Sequence, residues 1–396
     1  MPAEAIAASA LEREEEQRFQ TGRVVTLAAA HTVHDTYQSF VAPLLPVFIQ
    51  NLLLSKAEAG LLDVFLRWPS VVQPFFGHLA DRVSLRYIVI LAPAITATLM
   101  SLLGIAPSYL VLALLLLAAG LSSAAFHAVA PAIAGRLSGG SLGRGMSFWM
   151  VGGEMGRVLG PLVIVTALRL VGLRGMPWLA LLGLSLSATL YILLRNLPEP
   201  HVNRRQGLPF RLVLRQLRPI MLPVVGIVIT RSFMSGAVPT FLPTFLTEGG
   251  ADLWFAGVSL TVLEAAGVAG ALLSGSLSDW LGRRRVILIA SLTPPLFLFL
   301  FLNSDGWVRF PLLLLLGFTL LSITPVLMAL VQESCPENRA TANSLFVSTN
   351  FIVRSLASVA VGALGDFFGL RQGFIISAIL ALVGLPLVAL LPRGRS

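Results

Sequence analysis

Four polar side chains lie on one face of an otherwise apolar stretch near the start of the chain. They are spaced at i, i+3, i+4 and i+7 and are His31, His34, Asp35 and Gln38. A histidine changes charge near neutral pH, and a carboxylate in a low-dielectric environment can hold a proton. The face predicts a site that loads and releases protons. The alternative is a polar face that is only wetted by a cavity.

The same residue types bind metal ions. A zinc site needs three or four ligands and an ordered second shell, and the first stretch offers His31, His34 and Asp35. His127, in a later stretch, is either a hydrogen-bonded core residue or a further member of the set. The sequence does not place His127 near the others. We therefore expect no metal and no cofactor, with a proton gradient as the energy source.

Ionised residues of both signs interrupt the apolar stretches. They are Asp35, Asp63, Glu154, Glu264, Arg67, Arg157, Arg231 and Arg354. A charge at the bilayer centre costs about 2.5–3.5 kcal/mol, so such residues face a cavity or a partner. Spacings of four and three predict ion pairs between Asp63 and Arg67 and between Glu154 and Arg157.

We divide the polar residues of these stretches into two groups by their chemistry. The proton-coupling candidates are acids and histidines: Asp35, His34, His31, Glu154 and His127. The substrate-cavity candidates are Gln38, Arg157, Arg231, Glu264, Asn350 and Arg354.

The composition is that of a membrane protein. Hydrophobic residues make up 56% of the 396 residues and charged residues 12%, against roughly a quarter in soluble domains. Apolar stretches of about twenty residues recur, each long enough to cross a hydrocarbon core of about 30 Å. We predict twelve spans, near 24–51, 58–80, 87–106, 108–135, 146–171, 177–196, 219–247, 254–277, 286–302, 308–334, 341–365 and 372–392.

The basic residues predict the orientation. Most of the 28 Lys and Arg residues lie on segments that are cytosolic if both termini are cytosolic. The net charge of +9 then follows from membrane topology, and no loop is long enough to form a nucleic-acid surface. We expect a monomeric, multi-pass protein of the cell inner (cytoplasmic) membrane.

A repeated turn indicates two similar halves. Gly77-His78-Leu79-Ala80-Asp81-Arg82 is matched 198 positions later by Gly275-Ser276-Leu277-Ser278-Asp279. Gly60 and Gly257, and likewise Arg157 and Arg354, are 197 positions apart. Glycine permits close helix contact, and the aspartate can bind a helix start or an arginine. We therefore predict a conformational latch, rather than only a topology-setting loop, formed by Gly77, Asp81, Arg82, Gly275, Asp279, Gly282 and Arg283.

A polar segment with three prolines divides the halves. We expect two six-helix bundles between short cytosolic segments. The expected parts are a tail at 1–23, a bundle at 24–196, a linker at 197–218, a bundle at 219–392 and a tail at 393–396. Parallel repeats place a substrate site between the halves, and we expect spans 1, 4, 7 and 10 to line it.

Glycines recur at every fourth position of the expected fifth span. They are Gly152, Gly156 and Gly160, and Pro161 follows them. The glycines predict a face for close helix packing, and the proline predicts a bend.

Two apolar halves with Gly-x-Leu-x-Asp turns resemble transporters of the major facilitator superfamily. His31-x-x-His34-Asp35, Pro43-Leu-Leu-Pro46, Phe126-His127 and the glycine face before Pro161 are similar to the fosmidomycin-resistance family of drug efflux proteins. The resemblance implies an all-α membrane protein with twelve transmembrane helices in two pseudo-symmetric six-helix bundles. It also implies export of a small molecule against inward proton flow, with Asp35 as the acid of the first span.

We therefore expect a secondary active transporter that works by alternating access, with proton-coupled antiport of a drug-like or amphipathic molecule. One alternative is an organic-anion symporter or uniporter that uses Arg157, Arg231 and Arg354. Another is a lipid or lysolipid carrier of the same fold. An enzyme would need a nucleophile or metal set that converges in space, and the two-fold repeat argues against one.

Overall fold

The computed structural model describes residues 19–80, 85–139, 141–195, 210–335 and 339–392, and these ranges are almost entirely helical. The α-helices in these ranges are α1 (Thr21–Gln38), α2 (Val41–Leu52), α3 (Lys56–Arg67), α4 (Gln73–Ala80), α5 (Arg86–Leu102), α6 (Tyr109–Leu137), α7 (Leu142–Gly175), α8 (Ala180–Leu194), α9 (Phe210–Glu248), α10 (Leu253–Leu281), α11 (Arg283–Leu302), α12 (Arg309–Glu333), α13 (Arg339–Phe368), α14 (Leu370–Val383) and α15 (Leu385–Val388). Short 3-10 helices lie at Trp68–Val72, Leu103–Ile105, Met176–Leu179 and Gly306–Val308.

Within the described ranges, 9 helical stretches are long and apolar enough to cross a bilayer. One of them, Arg144–Leu194, has 51 residues and covers two predicted spans, with a non-helical Gly172 between them. The first two predicted spans are each divided into shorter helices. The all-helical, multi-pass membrane architecture is confirmed, and the count of twelve stays a prediction.

A break at Ser39 and Phe40 divides the first predicted span into α1 and α2. Pro43 lies four residues after Ser39, and a proline ring clashes with the carbonyl group four residues before it. The position of Pro43 therefore accounts for the break. It leaves Asp35 and Gln38 in the last turn of α1, in the interior of the predicted span.

Three apolar cores hold the helices together. One contains residues of both halves, including Leu45, Phe241 and Leu263. Of the other two, one lies within the first half around Phe126, and one lies within the second half around Phe346. We call the core with residues of both halves the mixed core. Since successive spans run in opposite directions, the helix ends at residues 52–56, 248–253 and 368–370 lie on the same side of the molecule. The mixed core lies toward that side, which we call the shared end. The opposite end, with residues 137–142 and 281–283, is the linker end.

Polar contacts also join the halves at the shared end. The Asp366 carboxylate accepts hydrogen bonds from the backbone N–H groups of Lys56 and Ala57, at 2.7 and 2.9 Å. These N–H groups belong to the free first turn of α3, where a carboxylate is favourable. The Lys56 ammonium lies 3.0 Å from the Glu248 carboxylate. The sequence analysis predicted an aspartate of this kind only at the other end of the molecule.

Glycines allow two close helix contacts between the halves. A side chain at Gly60 would lie 2.9 Å from the carbonyl oxygen of Ser358, and one at Gly257 would lie 2.4 Å from Val165. These contacts join α3 to α13 and α10 to α7. Gly60 and Gly257 are a pair matched by the repeat, so the sequence symmetry corresponds to a symmetric pair of contacts.

The second Gly-x-Leu-x-Asp turn lies at the linker end. Arg283 lies 2.6 Å from Asp279 and 2.8 Å from Glu333, and it donates a hydrogen bond to Ser278. Gly282 has a φ of 90°, a left-handed conformation that favours glycine. This turn is therefore a local ion-paired corner of the second half.

Several predicted segments lie partly or wholly outside the described residues. Gly77 lies in α4, but Asp81 and Arg82 are outside the described ranges, so the latch role stays a prediction. No described residue lies within 4 Å of the position that a side chain would take at Gly275. The expected tails and most of the expected linker are also outside these ranges, and the domain boundaries stay predictions.

Candidate functional site

A cavity of about 390 Å³ lies between the two halves. The polar residues that line it are Asp35, Gln38, Ser39, Asp63, Arg67, Ser70, Gln73, Ser123, His127, Arg157, Thr240, Glu264 and Arg354. Spans 1, 4 and 7 contribute as expected. Spans 2, 5, 8 and 11 also contribute, because these spans form the close contacts between the halves. Among the described residues, span 10 contributes none, so that part of the expectation is wrong.

The cavity extends from the middle of the molecule toward the linker end. Gln73, at the start of α4, and Val347, seven residues before Arg354 on α13, both line it on that side. The mixed core and the Lys56 contacts close the shared end. In this conformation the cavity therefore extends toward one side of the bundle only.

Asp35 is surrounded by three imidazole rings. Its carboxylate oxygens lie 2.9 Å from His34 Nδ1, 3.3 Å from His31 Nε2 and 3.4 Å from His127 Nε2. The Nε2 atoms of His31 and His127 are 3.2 Å apart. The structure brings the polar face of the first span together as expected, and it adds His127 from α6.

The orientation of each ring is set by a neighbouring group. His31 Nδ1 is 2.8 Å from the carbonyl oxygen of Trp149, and the two rings stack with centroids 3.7 Å apart. His127 Nδ1 is 3.0 Å from the carbonyl oxygen of Ser123. A carbonyl oxygen only accepts hydrogen bonds, so these contacts assign a hydrogen to each Nδ1. The Ser123 hydroxyl also lies 3.2 Å from His127 Nδ1, and with this assignment it is a second acceptor there. In the neutral rings, both Nε2 lone pairs then point toward Asp35.

Three hydrogen-bond acceptors consequently meet at one point. They are Nε2 of His31, Nε2 of His127 and the Asp35 carboxylate, which all lack a hydrogen when the rings are neutral. The carboxylate has His34 Nδ1 as a donor, whereas the two Nε2 atoms then have none. Buried acceptors without a donor are costly, and a cation between them removes that cost. Since Asp35 and His127 line the cavity, such a cation can reach the cluster from the cavity.

His34 supports this cluster from behind. Its side chain is fully buried, it stacks on Phe126 with centroids 4.5 Å apart, and its Nε2 is 3.2 Å from the Thr96 hydroxyl. Its Nδ1 donates to Asp35 and fixes the carboxylate. His34 therefore orients Asp35 and has no exposed edge of its own.

The glycine face of the fifth span allows α7 to pack closely against α1. A side chain at Gly156 would lie 2.5 Å from the carbonyl oxygen of Thr32 and 2.7 Å from Cβ of Asp35. One at Gly153 would lie 2.5 Å from the His31 ring. The predicted packing face is confirmed. The helix breaks at Gly172, whereas the backbone stays helical at Pro161.

Arg157 connects two carboxylates near the centre of the cavity. Its guanidinium lies 3.0 Å from Glu154, as the spacing predicts, and 2.6 Å from Glu264. Glu264 belongs to α10 in the second half, so this contact crosses between the halves. Sequence spacing shows only pairs within one helix, and it gave no signal for the second contact.

The remaining charged candidates fall into different environments. Asp63 and Arg67 form the predicted pair, with both carboxylate oxygens 2.8 Å from Arg67 Nε. Arg354 lines the cavity, and its guanidinium has no ion pair or hydrogen bond to any described residue. Arg231 is buried, donates to the carbonyl oxygen of Leu320 and is not among the described lining residues.

The two polar amide candidates differ in their relation to the cavity. Gln38 lines it, and its side-chain amide donates to the carbonyl oxygen of Ala119 at 3.4 Å. Asn350 is not among the described residues of the lining.

The sequence model of the Major Facilitator Superfamily matches residues 27–358 of this chain. The Fosmidomycin resistance protein of Escherichia coli (strain K12) is 24% identical over 386 residues, 96% of this chain and 94% of that protein. A Bacillus subtilis (strain 168) protein, the uncharacterized MFS-type transporter YfnC, is 25% identical over 94% of this chain and 93% of its own length.

Solved structures show the same fold. A bacterial homologue of the human lysosomal transporter Spinster, in an inward-facing and unoccupied conformation, superimposes with a TM-score of 0.79 at 14% sequence identity. The match covers 94% of this chain and 96% of that one.

Proposed function

We propose that this chain, which belongs to the Major Facilitator Superfamily and is a membrane transporter rather than an enzyme, exports a small molecule in exchange for protons. The observation that carries the proposal is the meeting of three acceptors, on His31, His127 and Asp35, at the cavity wall. One proton bound there removes the repulsion between the acceptors. The cluster thus gains a proton from one side and loses it when the cavity is rearranged.

Alternating access gives the exchange its direction. In the present conformation the site communicates with the linker end, which we assign to the cytosol by the positive-inside rule. Separation of Lys56 from Glu248 and of Asp366 from α3 opens the shared end. A proton that enters there and leaves at the linker end supplies about 2.3 kcal/mol for each 100 mV of membrane potential.

Export is supported by the name of a relative. The similar Escherichia coli protein is named for resistance to fosmidomycin, and outward transport of a toxic compound is one cause of resistance. We propose a drug-like or amphipathic substrate on this basis, transported across the cell membrane by a monomer.

Arg354 favours a second candidate, an anionic substrate. It lines the cavity without an ion pair to a described residue, whereas Arg67 and Arg157 are each paired with carboxylates. A substrate carboxylate or phosphate would provide the missing counterion. An organic-anion symporter or uniporter would use Arg354 in the same way, so the direction of proton movement must be tested separately.

The test begins with thermal-shift screening of the purified protein against antibiotics, organic anions and lysolipids, because a bound ligand raises the melting temperature. The best ligand is then offered to proteoliposomes with an imposed pH gradient. Antiport predicts uptake when the lumen is acidic. Symport predicts uptake when the outside is acidic, and a uniporter responds to neither gradient; either result would overturn the proposal.

Arg354→Gln provides the test for the anionic candidate. We expect the variant to lose the thermal shift caused by anionic ligands, because their counterion is removed, and to keep any shift caused by neutral ligands. Arg231→Gln is the matched control, since Arg231 is not among the described lining residues. Equal losses in the two variants would show that Arg354 does not contact the substrate.

A further inference from the structure

We infer that His31, Asp35 and His127 form a binding site for one divalent transition-metal ion, for which Zn²⁺ is the best fit. The sequence analysis expected no metal because it could not place His127. The structure places that ring in the cluster, with ligand atoms of the three residues within 4.8 Å of one another. The inference concerns binding to the purified protein, so it does not depend on the proposed proton exchange.

The two imidazole nitrogens and the Asp35 carboxylate are spaced closely enough to hold one zinc ion between them. Zinc binds imidazole nitrogen and carboxylate oxygen at about 2.0–2.2 Å, which separates neighbouring ligand atoms by about 3.3–3.5 Å. The two Nε2 atoms are 3.2 Å apart, His31 Nε2 lies 3.3 Å from Oδ2 of Asp35, and His127 Nε2 lies 3.4 Å from Oδ1. Each imidazole thus faces a different oxygen of the carboxylate, and with one ligand atom per residue the three atoms lie within 4.8 Å of one another. An ion can therefore enter with only small movements of the side chains.

The groups behind the ligands are those that a metal site requires. A metal-binding histidine usually donates its other N–H group to a carbonyl or carboxylate, which fixes the tautomer. His31 does so to Trp149 and His127 to Ser123. His34 donates to the Asp35 carboxylate, which fixes the third ligand. All three ligands thus have an ordered second shell.

The fourth coordination position faces the cavity. Asp35 and His127 line the cavity, while His31 lies behind them and is buried. Three protein ligands and one open position are the arrangement of zinc sites that bind water or a substrate. Two imidazole nitrogens favour zinc or copper over magnesium and calcium, which prefer oxygen ligands. A metal ion here occupies the place proposed for the proton, so it is expected to block proton exchange.

Calorimetry of the chelator-treated, purified protein with ZnCl₂ tests the inference. We expect one ion per chain in the wild type. His127→Gln and His31→Gln each remove a ligand, and we expect affinity to fall more than about 100-fold, beyond the usual effect of a second-shell change. His34→Gln removes only the support of Asp35, and we expect a loss of about 10- to 100-fold.

Two controls separate this site from adventitious binding. Cys335→Ser removes the single thiol, and a His78→Ala, His201→Ala double variant removes the two histidines other than His31, His34 and His127. Both are expected to bind zinc as the wild type does. Thermal melts verify that every variant is folded, and Co²⁺ binding to the wild type should give the visible absorption of a tetrahedral site.

Absence of stoichiometric zinc binding to the folded wild type would overturn the inference. So would unchanged affinity in folded His31→Gln or His127→Gln protein. Proton exchange measured in chelator-treated proteoliposomes is a separate readout, so failure of metal binding and failure of the proposed transport are distinguishable.

Discussion

Arg157 lies where the two halves meet inside the cavity, and its two partners behave differently when the halves move. Glu154 is on the same helix, so that pair is independent of any movement between the halves. Glu264 is on the other half, so that contact must break if α7 and α10 separate. A buried charge without a partner costs about 3–5 kcal/mol. In the proposed transport cycle, Glu154 would therefore keep Arg157 paired when the halves separate.

Double-mutant cycles can measure these two contacts. We expect Glu264→Gln to lower the melting temperature more than Glu154→Gln, because the Glu264 side chain is 10% exposed and that of Glu154 is 26% exposed. With Arg157→Gln, each acid should show a coupling energy of about 0.5–3 kcal/mol. Additive losses in both cycles would mean that Arg157 is a free cation, and the anionic-substrate candidate would gain support.

For single side chains, the sequence predicted contacts within one helix and missed contacts between helices. Spacing identified the Asp63–Arg67 and Glu154–Arg157 pairs, since i+3 and i+4 positions share a face. His127 and Glu264 come from distant helices, and their partners are set by tertiary packing. No local pattern around either residue distinguishes it from a buried core residue.

The cluster of His31, Asp35 and His127 depends on the close contact between helices α1 and α7. The glycines at positions 152, 156 and 160 leave no side chain between the two helices. This places His31 against Gly153 and Asp35 against Gly156, the residue before Arg157. The sequence predicted this face because small residues at every fourth position share one side of a helix.

Addition of one methyl group to the glycine face tests the close packing of α1 against α7. Gly156→Ala would place Cβ 2.5 Å from the carbonyl oxygen of Thr32, so α1 and α7 must move apart, and we expect a lower melting temperature. Gly373→Ala in α14 is the matched control, because the nearest atom would lie 3.4 Å away, an ordinary contact. Equal melting temperatures for the two variants would contradict the packing described here.

Element boundaries were predicted well where helices are continuous and poorly where they break. The division between α1 and α2 lies four residues before Pro43, where a proline ring clashes with the backbone, but the sequence analysis treated 24–51 as one span. The break at Gly172 had no equivalent signal. Its φ of 67° is a conformation open to glycine, but the sequence contains 35 glycines and most lie in regular helix.

For the whole molecule, the arrangement of the cores is compatible with a rigid-body rocking of the two halves in the proposed alternating access. The mixed core joins them at the shared end, while each half has its own core toward the linker end. Rocking therefore requires that apolar and polar contacts at the shared end be exchanged for contacts at the linker end. The sequence repeat predicted two related halves but could not indicate which end is closed in the stable conformation.

Thiol labelling in a Cys335→Ser background measures which end of the cavity is closed to a water-soluble reagent. Gln73→Cys lines the cavity toward the linker end and should react with a water-soluble thiol reagent in the resting protein. Leu45→Cys replaces a side chain with 0% exposure in the mixed core and should be protected. Addition of a transported ligand with a proton gradient should raise the reactivity at position 45. Fast labelling of Leu45→Cys at rest would contradict the closed shared end.

Ligand-driven proton movement in Asp35→Asn proteoliposomes tests the central claim most directly. An asparagine amide cannot take up a proton at this site. Its Nδ2 can donate to His31 Nε2 in the place of Oδ2, while its Oδ1 keeps the hydrogen bond from His34. We expect ligand binding to persist and proton flux to be lost, measured with a pH-sensitive dye in chelator-treated vesicles against the wild type. Proton flux in the variant equal to that of the wild type would contradict the proposal that Asp35 and its histidines carry the proton.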